Sequence, residues 1–64
     1  MLKKRVNDFL EVGVSLKSIA SFSGIHYTTL SKWLNGTREL NEKNLEQIQI
    51  GLESILRELL KIME

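Results

Sequence analysis

Residues 16–35 read LKSIASFSGIHYTTLSKWLN, which is the pattern of two short helices joined by a sharp turn. Ala20 lies where the two helices come closest, because a side chain larger than a methyl group would push them apart. Gly24 lets the backbone turn within three residues, since glycine readily takes a positive φ. The apolar side chains that point inward at helical spacing are Ile19, Ile25, Leu30 and Trp33. The segment therefore predicts a packed helix pair that leaves one face of its second helix free.

That free face is polar. With Leu30 set to zero and about 100° per residue, Trp33 and Leu34 fall within roughly 60° of it. The residues that lie roughly 100° to 200° away are Thr28, Ser31, Lys32 and Asn35. Apart from one lysine these side chains are uncharged hydrogen-bonding groups, of the size that reaches base edges in a DNA groove.

The rest of the chain also follows helical spacing, and it has no proline and no lasting strand-like alternation. Three predicted helix starts share a hydrophobic staple, in which an apolar residue before the polar cap packs on another one four residues after the cap. The staples are Val14-Ser15 with Ile19, Ile25-His26 with Leu30, and Leu40-Asn41 with Leu45. We predict an all-α chain with helices at about residues 2–12, 15–22, 26–35 and 41–63.

The last segment carries an apolar seam with spacings that alternate between three and four residues. Gly51 lies in its middle at a cost of about 1 kcal/mol relative to alanine, so one long helix and two helices that meet there both stay open. We expect the seam up to Leu52 to cover the core. Further along, a small helical unit has too little surface to cover so many large apolar side chains, which predicts a subunit contact. Its candidate residues are Ile55, Leu56, Leu59, Leu60, Ile62 and Met63.

Length and composition indicate one domain over residues 1–64, with helices 1 to 3 in residues 1–38 and a C-terminal helical segment, a candidate dimerisation element, in residues 39–64. There is no cysteine and only one histidine, which argues against a disulfide framework and a zinc site. No apolar run approaches the ~18 residues of a membrane span, and no signal peptide is recognisable. We therefore expect a cytoplasmic protein that does not contact membranes.

The net charge of +1 hides an asymmetry between the two parts of the chain. Residues 1–38 carry six Lys and Arg against two Asp and Glu, while residues 39–64 carry three against six. A basic part joined to an acidic part suggests that one end meets a polyanion. An enzyme is not expected, because the serines have no evident base partner and so small a core leaves little room for a pocket of ~300 Å³.

Three parts of the sequence resemble the lambda-repressor-like, Cro-like (XRE) family of helix-turn-helix regulators. They are residues 15–20 (SLKSIA), residues 23–25 (SGI) and residues 29–36 (TLSKWLNG), the last followed by Thr37 and Arg38. The resemblance covers residues 1 to about 55 and implies a lambda-repressor-like DNA-binding domain of four to five helices, here with an extended C-terminal helix. It further implies a sequence-specific transcriptional regulator, a repressor of phage, mobile-element or bacterial origin, that binds double-stranded DNA as a homodimer. No cofactor, metal or small-molecule ligand is implied, and the protein would lie with the nucleoid.

By this resemblance, helix 3 enters the major groove and its residues Tyr27, Thr28 and Lys32 face the bases. The polar outer face adds Ser31 as a base-contact candidate. The candidates for phosphate contact are Ser15, Lys17, Asn35, Thr37 and Arg38, together with His26 at the start of helix 3.

The chain departs from the family pattern at two positions. Ser23 stands where a large aliphatic residue is common, and we expect Phe22 to supply the missing apolar bulk. His26 stands where serine or threonine usually caps helix 3, and it is a poorer cap.

Several side chains have a second interpretation. Trp33 is expected in the core rather than stacked on a base. For Tyr27, packing against the inner face and a contact in the DNA groove are about equally favoured. Lys3, Lys4 and Arg5 form either a flexible arm over the DNA backbone or a solvated N-terminus. The alternative for the whole protein is a protein-interaction module with this fold, such as an antirepressor or a small inhibitor, which the low net charge favours.

Overall fold

The computed structural model describes residues 1–64 as four α-helices without strands. Helix α1 spans Leu2–Glu11, α2 Leu16–Ser23, α3 Tyr27–Leu34 and α4 Glu42–Met63. The all-α prediction is confirmed, and each predicted helix boundary lies within one residue of the observed one. None of the helices has both the length and the apolar character needed to cross a lipid bilayer.

The turn between α2 and α3 depends on Gly24. Its φ of +69° is the left-handed conformation, which costs glycine little because it has no Cβ. The backbone N–H of Ile25 then donates to the carbonyl of Ala20 at 3.1 Å and closes the end of α2. Only two residues, Ile25 and His26, separate this glycine from the start of α3, so the two helices are held at a sharp angle.

The core lies where α1, α2 and α3 meet the first half of α4. Its buried apolar residues are Val6, Ile19, Ala20, Leu30, Trp33, Ile48, Leu52 and Ile55. Trp33 is only 6% exposed, which confirms the prediction that its indole packs inside. Ile25, also expected inside, is half-buried and packs against this cluster.

Helix α4 continues straight through Gly51, which settles the choice between one helix and two. The glycine is buried against Ser23 of α2, and a Cβ at residue 51 would lie 2.9 Å from the Cα and N of Ser23. Two neighbouring helices can approach this closely only where both side chains are small. Ser23 therefore replaces a large aliphatic residue because α4 occupies the space of that side chain. The expectation for Phe22 is wrong, since its ring is 46% exposed and does not fill the core.

The other helices cover α4 only as far as Ile55. This residue is 5% exposed, so its burial is explained by the core of its own chain rather than by a second subunit. Every residue after it is exposed, and the molecule is accordingly elongated, with extents of 39 × 22 × 20 Å. We call the exposed apolar side chains of this segment the apolar end of α4; they are Leu56, Leu59, Leu60, Ile62 and Met63, exposed by 45–84%.

Candidate nucleic-acid interface

Helix α3 turns its polar side chains to solvent, opposite its buried residues Leu30 and Trp33. We call this side the reading face; it consists of Tyr27, Thr28, Ser31 and Lys32. Three of these side chains are exposed and Ser31 is half-buried. None of the four forms a side-chain hydrogen bond within the chain. Their hydroxyl and ammonium groups are therefore free to bond to an outside partner.

The start of α2 lies next to the start of α3, on the same side of the molecule. The ammonium of Lys17, in the first turn of α2, lies 5.8 Å from the centroid of the Tyr27 ring. Neither α2 nor α3 has an acidic residue in its first turn, whereas α4 has Glu42 there. The partial positive charge of two adjacent helix starts is thus not neutralised from within, and anions are favoured beside them.

The serine at the start of α2 has a structural task. Ser15 Oγ accepts a hydrogen bond from the backbone N–H of Ser18 at 3.1 Å and lies 2.9 Å from Ser18 Oγ. Such a cap satisfies one of the free N–H groups of the first turn. His26, by contrast, makes no cap hydrogen bond with its side chain and is exposed, so its imidazole remains available to an anion.

The loop after α3 is held by its own side chains. Asn35 Oδ1 accepts from the backbone N–H of Thr37 at 3.1 Å, and Thr37 Oγ1 lies 2.8 Å from the same oxygen. The Thr37 N–H also donates to the carbonyl of Lys32 at 2.9 Å, and Gly36 has a φ of +87°. Arg38 follows this fixed turn and is exposed. The loop thereby presents the Asn35 amide and the Arg38 guanidinium outward from a defined backbone.

The basic residues at the N-terminus belong to α1, and each has a contact within the chain. Lys3 Nζ lies 5.4 Å from the centroid of the Trp33 ring, and Lys4 Nζ lies 3.3 Å from Asp8 Oδ2. Arg5 donates a hydrogen bond to Gln49 Oε1 at 3.5 Å. The interpretation of these residues as a flexible arm is wrong, because the helix begins at residue 2.

The charges of the candidate interface are unpaired. The chain has two ion pairs, Lys4 with Asp8 and Lys61 with Glu58, and neither lies on α2, α3 or the loop that follows α3. Lys17, Lys32 and Arg38 thus have no acidic partner within the chain. No group of three acidic, histidine or cysteine side chains is placed to hold a metal ion.

Two contacts between helices could not be inferred from the sequence. The contact between Lys17 and Tyr27, and that between Lys3 and Trp33, join residues on different helices without any periodic signal. Ser18 was also missed as the partner of the Ser15 cap. Its position three residues after the cap, where a glutamate often completes a capping box, was the available signal.

A family model described as Helix-turn-helix (HTH_3) matches residues 3–53. The match spans α1 to α3 and the covered half of α4, and it contains all ten predicted base and phosphate contacts. The apolar end of α4 lies outside the matched residues. No curated protein and no solved structure matches the chain.

Proposed function

Because the chain belongs to the XRE/Cro-like helix-turn-helix family, we propose that it is a sequence-specific transcriptional regulator that binds double-stranded DNA as a homodimer. DNA binding and transcriptional regulation follow from the family, whose members are typically not enzymes. The observation that carries the finer proposal is the reading face of α3, which is solvated, free of internal hydrogen bonds and flanked by unpaired cations.

In the proposed complex, α3 lies in the major groove. Tyr27, Thr28, Ser31 and Lys32 contact base edges, because they form the outer side of the helix. Residues on both flanks hold the two DNA strands through phosphates; these are Ser15, Lys17, His26, Asn35, Thr37 and Arg38. The amide NH2 of Asn35 is free for this contact. Ser15 and Thr37 would exchange the hydroxyl hydrogen bonds that they now donate within the chain for one to a phosphate oxygen.

The dimer is proposed from the apolar end of α4. At about 100° per residue, its five side chains occupy a sector of roughly 160°, and all of them are exposed in the single chain. A groove of about 240 Å³ continues this surface and is lined mainly by Phe9, Val12, Val14, Leu56 and Leu59. A second copy would cover both and remove this apolar surface from water.

A two-fold dimer also solves a problem of recognition. One α3 reads only about four or five base pairs, whereas two copies read half-sites roughly 34 Å apart. The proposed action is repression by occupancy of an operator, in a phage, a mobile element or a bacterial host, on DNA in the cytoplasm.

Selection of bound duplexes from a random DNA pool tests the proposal. We expect a palindromic product, whose affinity falls steeply with salt because phosphate contacts release counterions. A double variant, Arg38→Gln with Lys32→Gln, removes two cations of the interface. Its affinity for DNA should therefore fall less steeply with salt than that of the wild type. The proposal is overturned if the pool yields no preferred sequence.

The alternative, a protein-interaction module, gives a different result in the same assay. A net charge of +1 and an exposed apolar helix end are its support. Such a module would bind duplex DNA without sequence preference or not at all, and its affinity for a protein partner would depend only weakly on salt.

A further inference from the structure

A lysine ammonium lies over an exposed aromatic ring at the edge of the reading face. Lys17 Nζ is 5.8 Å from the centroid of the Tyr27 ring, within the range of a cation–π contact. Lys17 is the second residue of α2 and Tyr27 is the first of α3, so the contact bridges the two helix starts across the turn. We infer that Lys17 is a positioning residue, which fixes the Tyr27 ring and thereby the base pair that the Tyr27 hydroxyl contacts.

No hydrogen bond within the chain restrains the hydroxyl of Tyr27. The side chain is 43% exposed, and its hydroxyl takes part in no hydrogen bond of the chain. At the first position of a helix the backbone still allows an aromatic side chain more than one rotamer, so a neighbour can select among them. The ammonium of Lys17 provides that restraint from the preceding helix, before any DNA is bound.

The same ammonium can serve the DNA backbone at the same time. It has three N–H donors, and the face of the ring engages only one side of it. A phosphate beside the start of α2 would bind the other side. Lys17 would thus bind a phosphate, a contact that does not depend on the DNA sequence, and at the same time position Tyr27, whose contact with a base does. This inference rests on the proposed function, but the contact with the ring belongs to the free protein.

Variants of both residues test the connection. We expect Lys17→Met to lower discrimination about two- to fivefold, the size of an exposed cation–π contact. Tyr27→Leu removes the hydroxyl that contacts the base and should lower discrimination at least as much, at the same one or two base pairs. The double variant should lose little more discrimination than Tyr27→Leu alone, because Lys17 has no ring to position once Tyr27 is replaced. Lys17→Arg should restore discrimination, since a guanidinium also stacks on a ring.

The measurement uses a panel of duplexes in which each base pair of the selected site is changed in turn. Relative dissociation constants are compared for the wild type, the single variants and the double variant. Lys32→Met combined with Tyr27→Leu is the matched control, and its two effects should add. Proton NMR of the free protein is the second readout, because the ring should shift the ε-methylene signal of Lys17 upfield, and Tyr27→Leu should abolish that shift.

The two possible failures are distinguishable. If the wild type prefers a sequence but Lys17→Met weakens all duplexes equally, Lys17 is a phosphate contact only and the positioning role is overturned while the proposed function stands. Absence of the upfield shift in the free protein overturns it as well. If the wild type prefers no sequence, the proposed function fails, and this inference fails with it.

Discussion

Gly51 occupies the position where α4 comes closest to α2. Glycine within an exposed helix is usually destabilising, because the unfolded chain gains more freedom than with alanine. Here the missing Cβ makes room for the backbone of Ser23, so the usual preference is reversed. Ser23 Oγ is itself buried without a hydrogen-bond partner, which identifies the contact as one of shape rather than of polarity.

Gly51→Ala should destabilise the protein by about 1–3 kcal/mol, the usual cost of a methyl group forced into a packed core. Unfolding by denaturant, followed by circular dichroism, measures this. Glu53→Ala is the control at an exposed position of the same helix and should change stability by less than about 0.5 kcal/mol. Equal stability of Gly51→Ala and the wild type would contradict the close approach of the two helices.

Lys32 presents a different case, because its side chain has no partner within the chain. Lys32→Ala should leave the free energy of unfolding within about 0.5 kcal/mol of the wild type. It should weaken binding to the selected operator about tenfold, as expected for one lost contact to DNA worth about 1–3 kcal/mol. Lys61→Ala, at the far end of α4, is the control for the loss of one positive charge. A change in base preference would assign Lys32 to a base, and a uniform loss would assign it to a phosphate.

At the scale of the elements, α2 and α4 begin with a side-chain cap and α3 does not. Ser15 and Asn41 each accept a hydrogen bond from a backbone N–H of the first turn, at 3.1 and 2.8 Å. His26 provides none for α3. The helix that carries the reading face therefore begins with unsatisfied N–H groups, which a DNA phosphate could bind.

A better N-cap at residue 26 should thus change the stability of the fold and the affinity for DNA in different ways. His26→Ser and His26→Asp should each stabilise the protein by about 1 kcal/mol, because both residues cap helices well. Only His26→Asp should weaken DNA binding strongly, since its carboxylate would repel the phosphate. Thermal unfolding and binding to the selected duplex measure the two effects. If His26→Asp binds as tightly as His26→Ser, no phosphate lies beside this helix start.

The helices could be predicted closely from the sequence because their signals are local. Staples, caps and glycines fix each boundary, and Trp33 could be assigned to the core from its angle to Leu30. Contacts between helices are a different matter, because spacing along one helix does not identify its neighbour. Ile55 continues the seam of Leu52, and only the packing of the other helices decides that it is covered. For the same reason, the sequence did not indicate that Gly51 packs against Ser23.

At the scale of the whole molecule, α4 has two parts with different surroundings. The first part packs mainly on α2, and the second projects beyond the helices that could cover it. Charge follows a similar division, since residues 1–38 are net basic and residues 39–64 net acidic. In the proposed assembly the basic side meets DNA while the apolar end of α4 meets the second copy.

Leu60→Glu with Met63→Glu should convert the proposed dimer to a monomer without unfolding it, because both side chains are exposed in the single chain. Affinity for a palindromic operator should fall at least tenfold while affinity for an isolated half-site is retained. Sedimentation and DNA titration provide the measurements. Ile55→Asp is expected to unfold the chain instead, since it buries a charge in the core. A wild type that sediments as a monomer at all concentrations would overturn the dimer.

The close approach at Gly51 also fixes the direction in which the rest of α4 projects. From Gly51 to Met63 the helix extends about 18 Å, at 1.5 Å per residue. A tilt of about 10° at the contact with Ser23 would displace the tip by about 3 Å, close to the rise of one base pair. In the proposed dimer, the small size of the residues at positions 23 and 51 would thus influence the distance between the two copies of α3, and with it the spacing of the two halves of the operator.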